Sequence, residues 1–179
     1  MFSFLIRGQI RLVAQQNEPR NLLIDIVDRP GTLVCVPAVC GASPYCCHAV
    51  SGHDSELLSV PREVLLAALT PMGALLLAQS SERAMNLCRR LREVAGSKVQ
   101  RRVASVLLRL ADERGIPVRE GVRLPATISR RDLAGLSGCA TETLIRELAK
   151  LEGLGAVSRS GRTLLIDLRV LANCVYGES

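Results

Sequence analysis

The chain is poor in aromatic residues, with two Tyr, two Phe and no Trp among its 179 residues. Proteins that hold single-stranded nucleic acid usually stack its bases on aromatic side chains. The scarcity of aromatic residues therefore argues against a protein that binds single-stranded nucleic acid.

Long uninterrupted apolar runs are also missing. The most apolar stretch, 64–78, contains Pro71 and is shorter than the roughly 20 residues that a membrane-spanning helix needs. The N-terminal segment 1–6 is too short for the apolar region of a signal peptide and has no basic residues before it. We therefore expect a cytoplasmic protein with no membrane association.

The chain has seven cysteines but no C-x-x-C pair. An odd count in a reducing compartment favours free thiols over a disulfide framework. One cluster contains Cys35, Cys40, Cys46, Cys47 and His48. Two interpretations stay open: cysteines packed as small apolar side chains, or a thiol, haem or metal sensor with Cys46, Cys47 and His48 as candidate ligands. The poor spacing favours packing, so we expect no metal and no cofactor.

A catalytic constellation is likewise missing. The only histidines, His48 and His53, have Asp54 as their one nearby carboxylate, and neither a nucleophile motif nor a phosphate-binding loop occurs. We therefore expect that the protein is not an enzyme.

Positive charge is concentrated in the second half of the chain. Fourteen of the 23 basic residues and nine of the 17 acidic residues lie from Gly96 onward, which is +5 of the total net charge of +6. Such an excess is typical of a segment that approaches phosphate groups.

Residues 128–150 have the pattern of a helix-turn-helix. Ser129 and Asp132 have the spacing of a capping box and predict a first helix from about Arg130. Residues 137–139 break it, and a second helix from about Ala140 has an apolar stripe at the helical period. That stripe consists of Leu144, Leu148 and Leu151, and the opposite face of Thr141, Glu142, Ile145, Arg146 and Ala149.

The polar face has side chains that could contact bases. A guanidinium can donate two hydrogen bonds to guanine, and a carboxylate can accept one from cytosine. The alternative for Glu142 and Arg146 is an ordinary i,i+4 ion pair on a solvated helix, which is worth only about 0.2 to 0.5 kcal/mol.

A β-hairpin is predicted after the second helix. Residues 156–168 have the pattern strand, turn at Ser160-Gly161, strand, which is typical of a wing. Arg159 and Arg162 flank its tip, where contacts to the DNA backbone are usually made.

The stretches KVQRRVASVLLRLADERG, ISRRDLAGLSGCATETLIRELAKLE and GAVSRSGRTLLIDL, all within 98–168, together resemble the C-terminal domain of the Crp/Fnr transcription regulators. The resemblance implies that Thr141, Glu142 and Arg146 contact bases. It also implies that Ser129, Arg130 and Lys150 contact phosphates. Ile145 departs from the small or polar residue of well-known relatives, so the recognised half-site cannot be transferred from them.

A dimerisation helix is predicted after Pro71, because small and apolar residues recur alternately four and three residues apart. We call five of these residues the seam: Ala74, Leu77, Ala84, Cys88 and Leu91. The alternative is a helix packed on its own domain. The resemblance favours the dimer, since Crp/Fnr regulators pair through a long helix at this position.

Short apolar strands are predicted before Pro71, at Leu22–Val27, Leu33–Val36 and Glu56–Val60. Their order resembles the second part of the cyclic-nucleotide-binding-type β-roll of the same family, with the front part missing. Two explanations stay open: Met1 is a late start, or the roll is reduced. Relatives that bind a cyclic nucleotide use an Arg for the cyclic phosphate. At the corresponding places this chain has Cys35-Val36-Pro37 and Tyr45-Cys46-Cys47, with no Arg, so we expect no cyclic-nucleotide binding.

We therefore predict an α+β chain with a truncated β-roll at 1–70, a dimerisation helix at 71–96 and a winged helix-turn-helix at 97–179. The expected function is sequence-specific transcription regulation by a homodimer on palindromic double-stranded DNA, with RNA polymerase as a candidate further partner. Two alternatives stay open: a thiol-, haem- or metal-dependent sensor regulator, and a dimerising interaction protein that modulates full-length relatives.

Overall fold

The computed structural model describes residues 1–14, 22–34, 47–96, 98–161 and 163–177. The chain divides into two compact units, Met1–Arg90 and Leu91–Ser179. The fold class is α+β, as predicted.

The first unit contains a three-stranded antiparallel sheet of order β2-β1-β3. Its strands are β1 (Phe2–Ala14), β2 (Leu22–Val27) and β3 (His48–Val60). The bounds of β2 are those predicted, and the predicted strand Glu56–Val60 is the end of the longer β3. Of the predicted strand Leu33–Val36, Leu33 forms one isolated bridge with Phe4, and residues 35 and 36 lie outside the described residues.

The sequence patterns did not reveal the central strand β1. Its pairing with β3 shifts register three times, between Leu5 and Arg7, between Arg7 and Gln9, and between Gln9 and Ile10. Each shift moves the following side chains to the other face, so the alternation typical of a strand is lost. Gly8 lies within this stretch at φ +98°, where an added Cβ would be 2.5 Å from the Asp54 carbonyl oxygen.

Two apolar clusters form the core of the first unit. One joins the start of β1 to the helices that follow β3; its buried members are Phe2, Phe4, Leu33, Leu65 and Leu76. The other lies farther along β1 and contains Leu5, Ile10, Leu12, Val27 and Val34, with Cys47 packed against them.

Two helices follow β3, the short α1 (Arg62–Ala67) and the long α2 (Leu69–Gly96). We predicted a helix that begins after Pro71, and the structure begins it two residues before that proline. The first turn of a helix tolerates proline because its backbone nitrogens have no partner within the helix. No helix of the described residues is long and apolar enough to cross a membrane.

One face of α2 packs on its own unit. Leu76 is buried, and the Gln79 side chain accepts a hydrogen bond from the Leu33 amide (3.2 Å) and donates one to the Gly31 carbonyl (3.3 Å). Arg83 lies 3.7 Å from the Asp25 carboxylate. All five residues of the seam are exposed in the single chain, Leu77 and Leu91 by 69% each. The helix thus packs on its own domain through side chains other than those of the seam.

The second unit consists of helices around a four-stranded sheet of order β4-β5-β7-β6. Its elements in chain order are α3 (Val99–Arg114), β4 (Ile116–Val118), β5 (Gly121–Arg123), α4 (Arg130–Leu136), α5 (Thr141–Gly153), β6 (Val157–Ser160), β7 (Thr163–Ile166) and α6 (Leu168–Tyr176). The helix-turn-helix and the wing hairpin occur where they were predicted, whereas β4, β5 and α6 were missed.

Candidate nucleic-acid interface

Helix α4 begins with the predicted capping box. The Ser129 hydroxyl accepts a hydrogen bond from the Asp132 amide (3.1 Å), and the Ser129 amide donates to Asp132 Oδ2 (2.9 Å). The hydroxyl also donates to the same oxygen (2.7 Å). The Ser129 hydrogen is therefore used within the box, and a phosphate contact by this hydroxyl, which stays a prediction, has to compete with Asp132.

The turn between α4 and α5 occupies residues 137–139, as predicted. Gly138 adopts φ +62°, a backbone conformation that residues other than glycine rarely adopt. The Cys139 amide donates to the Ala134 carbonyl (3.1 Å) and closes the end of α4. Burial raises the pKa of the Cys139 thiol, the positive charge of Arg102 lowers it and Glu147 raises it. A protonated thiol of this kind reacts slowly.

Helix α5 is anchored by the predicted stripe, because Leu144, Leu148 and Leu151 are all buried. Glu142, Ile145 and Arg146 are exposed on its outer side, and Thr141 is half-buried. Thr141, Glu142 and Arg146 thus lie on one short stretch of α5. The side chain of Ile145, which is 49% exposed, belongs to the same stretch.

The ion pair considered as an alternative for Glu142 and Arg146 is not among the ion pairs of the described residues. Arg146 Nη2 instead lies 3.4 Å from Thr143 Oγ1, a long and weak hydrogen bond. The guanidinium is therefore held loosely, and most of its donors face solvent.

Arg130 and Arg159 form a cationic site at the start of α4. Burial lowers the pKa of Arg130, the positive charge of Arg159 lowers it further, and Glu152 opposes both. Arg159 Nε donates to Glu152 Oε1 at 2.9 Å. These two guanidinium groups and the one carboxylate together carry a net charge of +1. Arg162, the other predicted wing contact, lies outside the described residues.

Lys150 is paired within its own helix. Its Nζ donates to Glu147 Oε1 at 2.8 Å, and Glu147 is 8% exposed although it is charged. The sequence analysis did not identify Glu147, because a carboxylate three residues before a lysine on a helix is ordinary. The predicted phosphate contact of Lys150 thus has an intramolecular competitor.

A cavity of about 200 Å³ lies where α4 meets β7. Its walls contain apolar side chains such as Leu124, Ile128, Leu133 and Leu164, with Ser129, Arg130 and Thr163 among its polar residues. Arg130 thus belongs both to the wall of this cavity and to the cationic site.

The candidate metal ligands of the first unit are only partly within the described residues. Cys46 lies outside them, Cys47 packs against the Leu5 cluster, and His48 is exposed at the start of β3. Within the described part of the chain, no group of three His, Cys, Asp or Glu side chains could hold a metal ion.

Residues 101–174 match the model of the Crp-like helix-turn-helix domain. The chain is also 24% identical, over 167 residues, to the global nitrogen regulator of Synechocystis sp. (strain ATCC 27184 / PCC 6803 / Kazusa); the match covers 91% of this chain and 74% of that protein. The domain match contains α4, α5 and the wing, which are the elements that carry the residues described above.

Solved structures have the same fold. The c-di-GMP-responsive global regulator CLP of Xanthomonas campestris matches 92% of this chain and 83% of its own, at 23% identity and a TM-score of 0.77. A Crp/Fnr-family transcriptional regulator from Thermus thermophilus covers 99% of this chain and 89% of its own, at 22% identity and a TM-score of 0.74. A mutant of CooA from Carboxydothermus hydrogenoformans covers 96% and 77%, at 17% identity and a TM-score of 0.79.

Proposed function

We propose that the chain, whose residues 101–174 match the Crp-like helix-turn-helix domain, is a transcription regulator of the Crp/Fnr type that binds palindromic double-stranded DNA as a homodimer. The observation that carries the proposal is the outer side of α5, where Glu142 and Arg146 are exposed and not paired with each other. Both side chains are thus free to meet base edges in the major groove.

In this proposal Arg146 donates to a guanine and Glu142 accepts from a cytosine, while Thr141 contacts a base nearby. Each good base contact discriminates against a wrong base pair by about 1 to 3 kcal/mol. The exposed Ile145 lies between these polar groups and can contact a thymine methyl group.

Phosphate contacts come from Arg130 and Arg159, with Lys150, Ser129 and Arg162 as further members of the set. The net positive charge that Arg130 and Arg159 keep beside Glu152 supports their assignment, because DNA phosphates are usually contacted by such cations. Lys150 reaches a phosphate at the expense of its bond to Glu147.

Homodimers form through the seam in this proposal, with residues 71–96 as the dimerisation helix between a domain at 1–70 and a domain at 97–179. The exposure of Leu77 and Leu91 supports this arrangement. A two-fold axis then presents two α5 helices to successive major grooves, and half-site centres about 10 to 10.5 base pairs apart, or a multiple of that, are expected. The protein would act in the cytoplasm, where its DNA is, without a cyclic nucleotide, and RNA polymerase remains a candidate partner.

The proposal is tested by selection on randomised duplexes, with wild type, Arg146→Ala, Arg130→Ala and the control Arg119→Ala. Arg119 is an exposed arginine in the turn between β4 and β5, outside the proposed interface. Arg146→Ala should change the selected motif at one position of each half-site. Arg130→Ala should keep the motif, weaken specific and random DNA alike, and reduce the salt slope by about 1.

An unchanged motif for Arg146→Ala would remove α5 as the source of specificity. Failure of the wild-type chain to retard any duplex would favour the alternative of an interaction protein that acts through full-length relatives.

A further inference from the structure

The side chain of Arg102, on α3, reaches the turn of the helix-turn-helix and hydrogen-bonds to it. Arg102 Nε donates to the Ser137 carbonyl at 3.1 Å, and Arg102 Nη2 lies 3.4 Å from the Gly138 carbonyl. The two carbonyls belong to consecutive residues of the turn that separates α4 from α5. A planar guanidinium with donors in a fixed fork fits such a pair of acceptors.

The Ser137 carbonyl depends on this side chain. Within the described residues, no backbone amide donates to it or to the Gly138 carbonyl, but Gly138 is exposed, so water can reach its carbonyl. Ser137 is 2% exposed, so water does not replace the lost bond readily. A buried carbonyl without a donor is costly, and the turn would have to move to bring it to solvent.

The charge of Arg102 adds to the effect of its hydrogen bonds. Carbonyl groups without partners collect at the C-terminal end of a helix and give that end a partial negative charge, which a cation stabilises. Arg102 thus binds α4 at its last turn and fixes the point from which α5 departs.

We propose that Arg102 is a positioning residue, which sets the angle of α5 through the Ser137 and Gly138 carbonyls and thereby determines how well Arg146 and Glu142 meet their bases. This assignment rests on the proposed function, since it concerns the accuracy of DNA reading. In this assignment Arg102 does not itself contact DNA.

The matched control is the neighbouring Arg101, which is exposed and lies in the same turn of α3. We compare Arg102→Met, Arg102→Lys and Arg101→Met with wild type, on the selected duplex and on random duplex at several salt concentrations. Arg102→Met should reduce the ratio of specific to random affinity about tenfold and leave the salt slope unchanged. Arg102→Lys, which keeps the charge but has no fork, should recover only part of this ratio.

A loss that is equal on both duplexes, with a salt slope lower by about 1, would instead make Arg102 a phosphate contact and overturn the assignment. A wild-type ratio for Arg102→Met would overturn it as well. Binding is normalised to the active fraction from stoichiometric titration, so partial unfolding of a variant does not imitate the effect.

A second measurement needs no DNA. Cys139 lies in the same turn and is half-buried, and Cys174 on α6 is a half-buried thiol of the same unit that serves as internal reference. Loss of the Arg102 charge itself raises the pKa of the Cys139 thiol, so alkylation is followed by mass spectrometry over a range of pH and the rate constant of the thiolate is compared. This rate constant should become about tenfold larger at Cys139, but not at Cys174, in Arg102→Met, because opening of the turn exposes the sulfur. Arg101→Met should change neither rate.

The two measurements separate the possible failures. If wild type binds no DNA but Arg102→Met still accelerates Cys139 alkylation, the proposed function fails and the contact of Arg102 with the turn stands. If Cys139 alkylation is unchanged in Arg102→Met, the positioning role fails whatever the DNA result.

Discussion

The seam on α2 gives a prediction that can be worked out in detail. Leu77 is 69% exposed in the single chain, so about two-thirds of its surface remains to be buried by a partner. Complete burial of a leucine is worth about 1.5 to 3 kcal/mol, so this remainder contributes about 1 to 2 kcal/mol. Because a two-fold interface uses each residue twice, Leu77→Ala should cost about 2 to 4 kcal/mol per dimer.

That cost corresponds to a dimer dissociation constant raised roughly 30- to 1000-fold. Leu77→Asp should have a larger effect, since it would place two unpaired charges near the axis. Sedimentation equilibrium over a range of protein concentrations measures both variants, and Leu91→Asp provides an independent substitution in the same seam.

Leu75→Asp is the matched control. Leu75 is 51% exposed and lies on the same helix, but it is not part of the seam. The Leu75→Asp variant should form dimers as tight as those of wild type. If Leu77→Asp and Leu91→Asp form dimers as tight as those of wild type and Leu75→Asp, the seam is not the dimer contact and the expected half-site spacing loses its basis.

Two further predictions concern one end of the helix-turn-helix and the first unit. Ser129→Ala removes a side-chain cap and should lower the free energy of unfolding by about 0.5 to 2 kcal/mol in urea titrations, whereas Thr127→Ala, two residues earlier and exposed, should change it little. An unchanged midpoint for Ser129→Ala would contradict the capping box. Calorimetry with cyclic AMP or cyclic GMP at millimolar concentration should give no saturable heat; micromolar affinity would refute the inference drawn from the missing Arg.

Features that depend on local sequence were predictable. The capping box needs only Ser129 and Asp132, and the apolar stripe of α5 repeats at the helical period over Leu144, Leu148 and Leu151. Such patterns span at most about two helical turns, so the sequence alone contains them.

Features that depend on distant partners were not predictable. Arg102 is 35 residues from Ser137 in sequence, and only the packing of α3 against the helix-turn-helix reveals their hydrogen bond. The register shifts of β1 interrupt the alternation of buried and exposed residues by which a strand is predicted. Helix α6 was missed although Asp167 caps it by accepting from the Val170 amide at 3.0 Å, since its nine residues follow β7 after a single residue.

The intramolecular ion pairs of the proposed DNA interface affect how many ions the protein would exchange with solution on binding DNA. A free lysine or arginine that neutralises a phosphate displaces sodium or potassium from the condensed ion atmosphere of DNA, and each such contact steepens the salt dependence. Lys150 is already paired with Glu147 at 2.8 Å, and Arg159 is paired with Glu152 at 2.9 Å. A phosphate that takes over either cation leaves its carboxylate to be neutralised by a cation from solution. The uptake of that cation offsets the release of another from the DNA, so affinity should vary less steeply with salt than the number of basic residues at the interface implies.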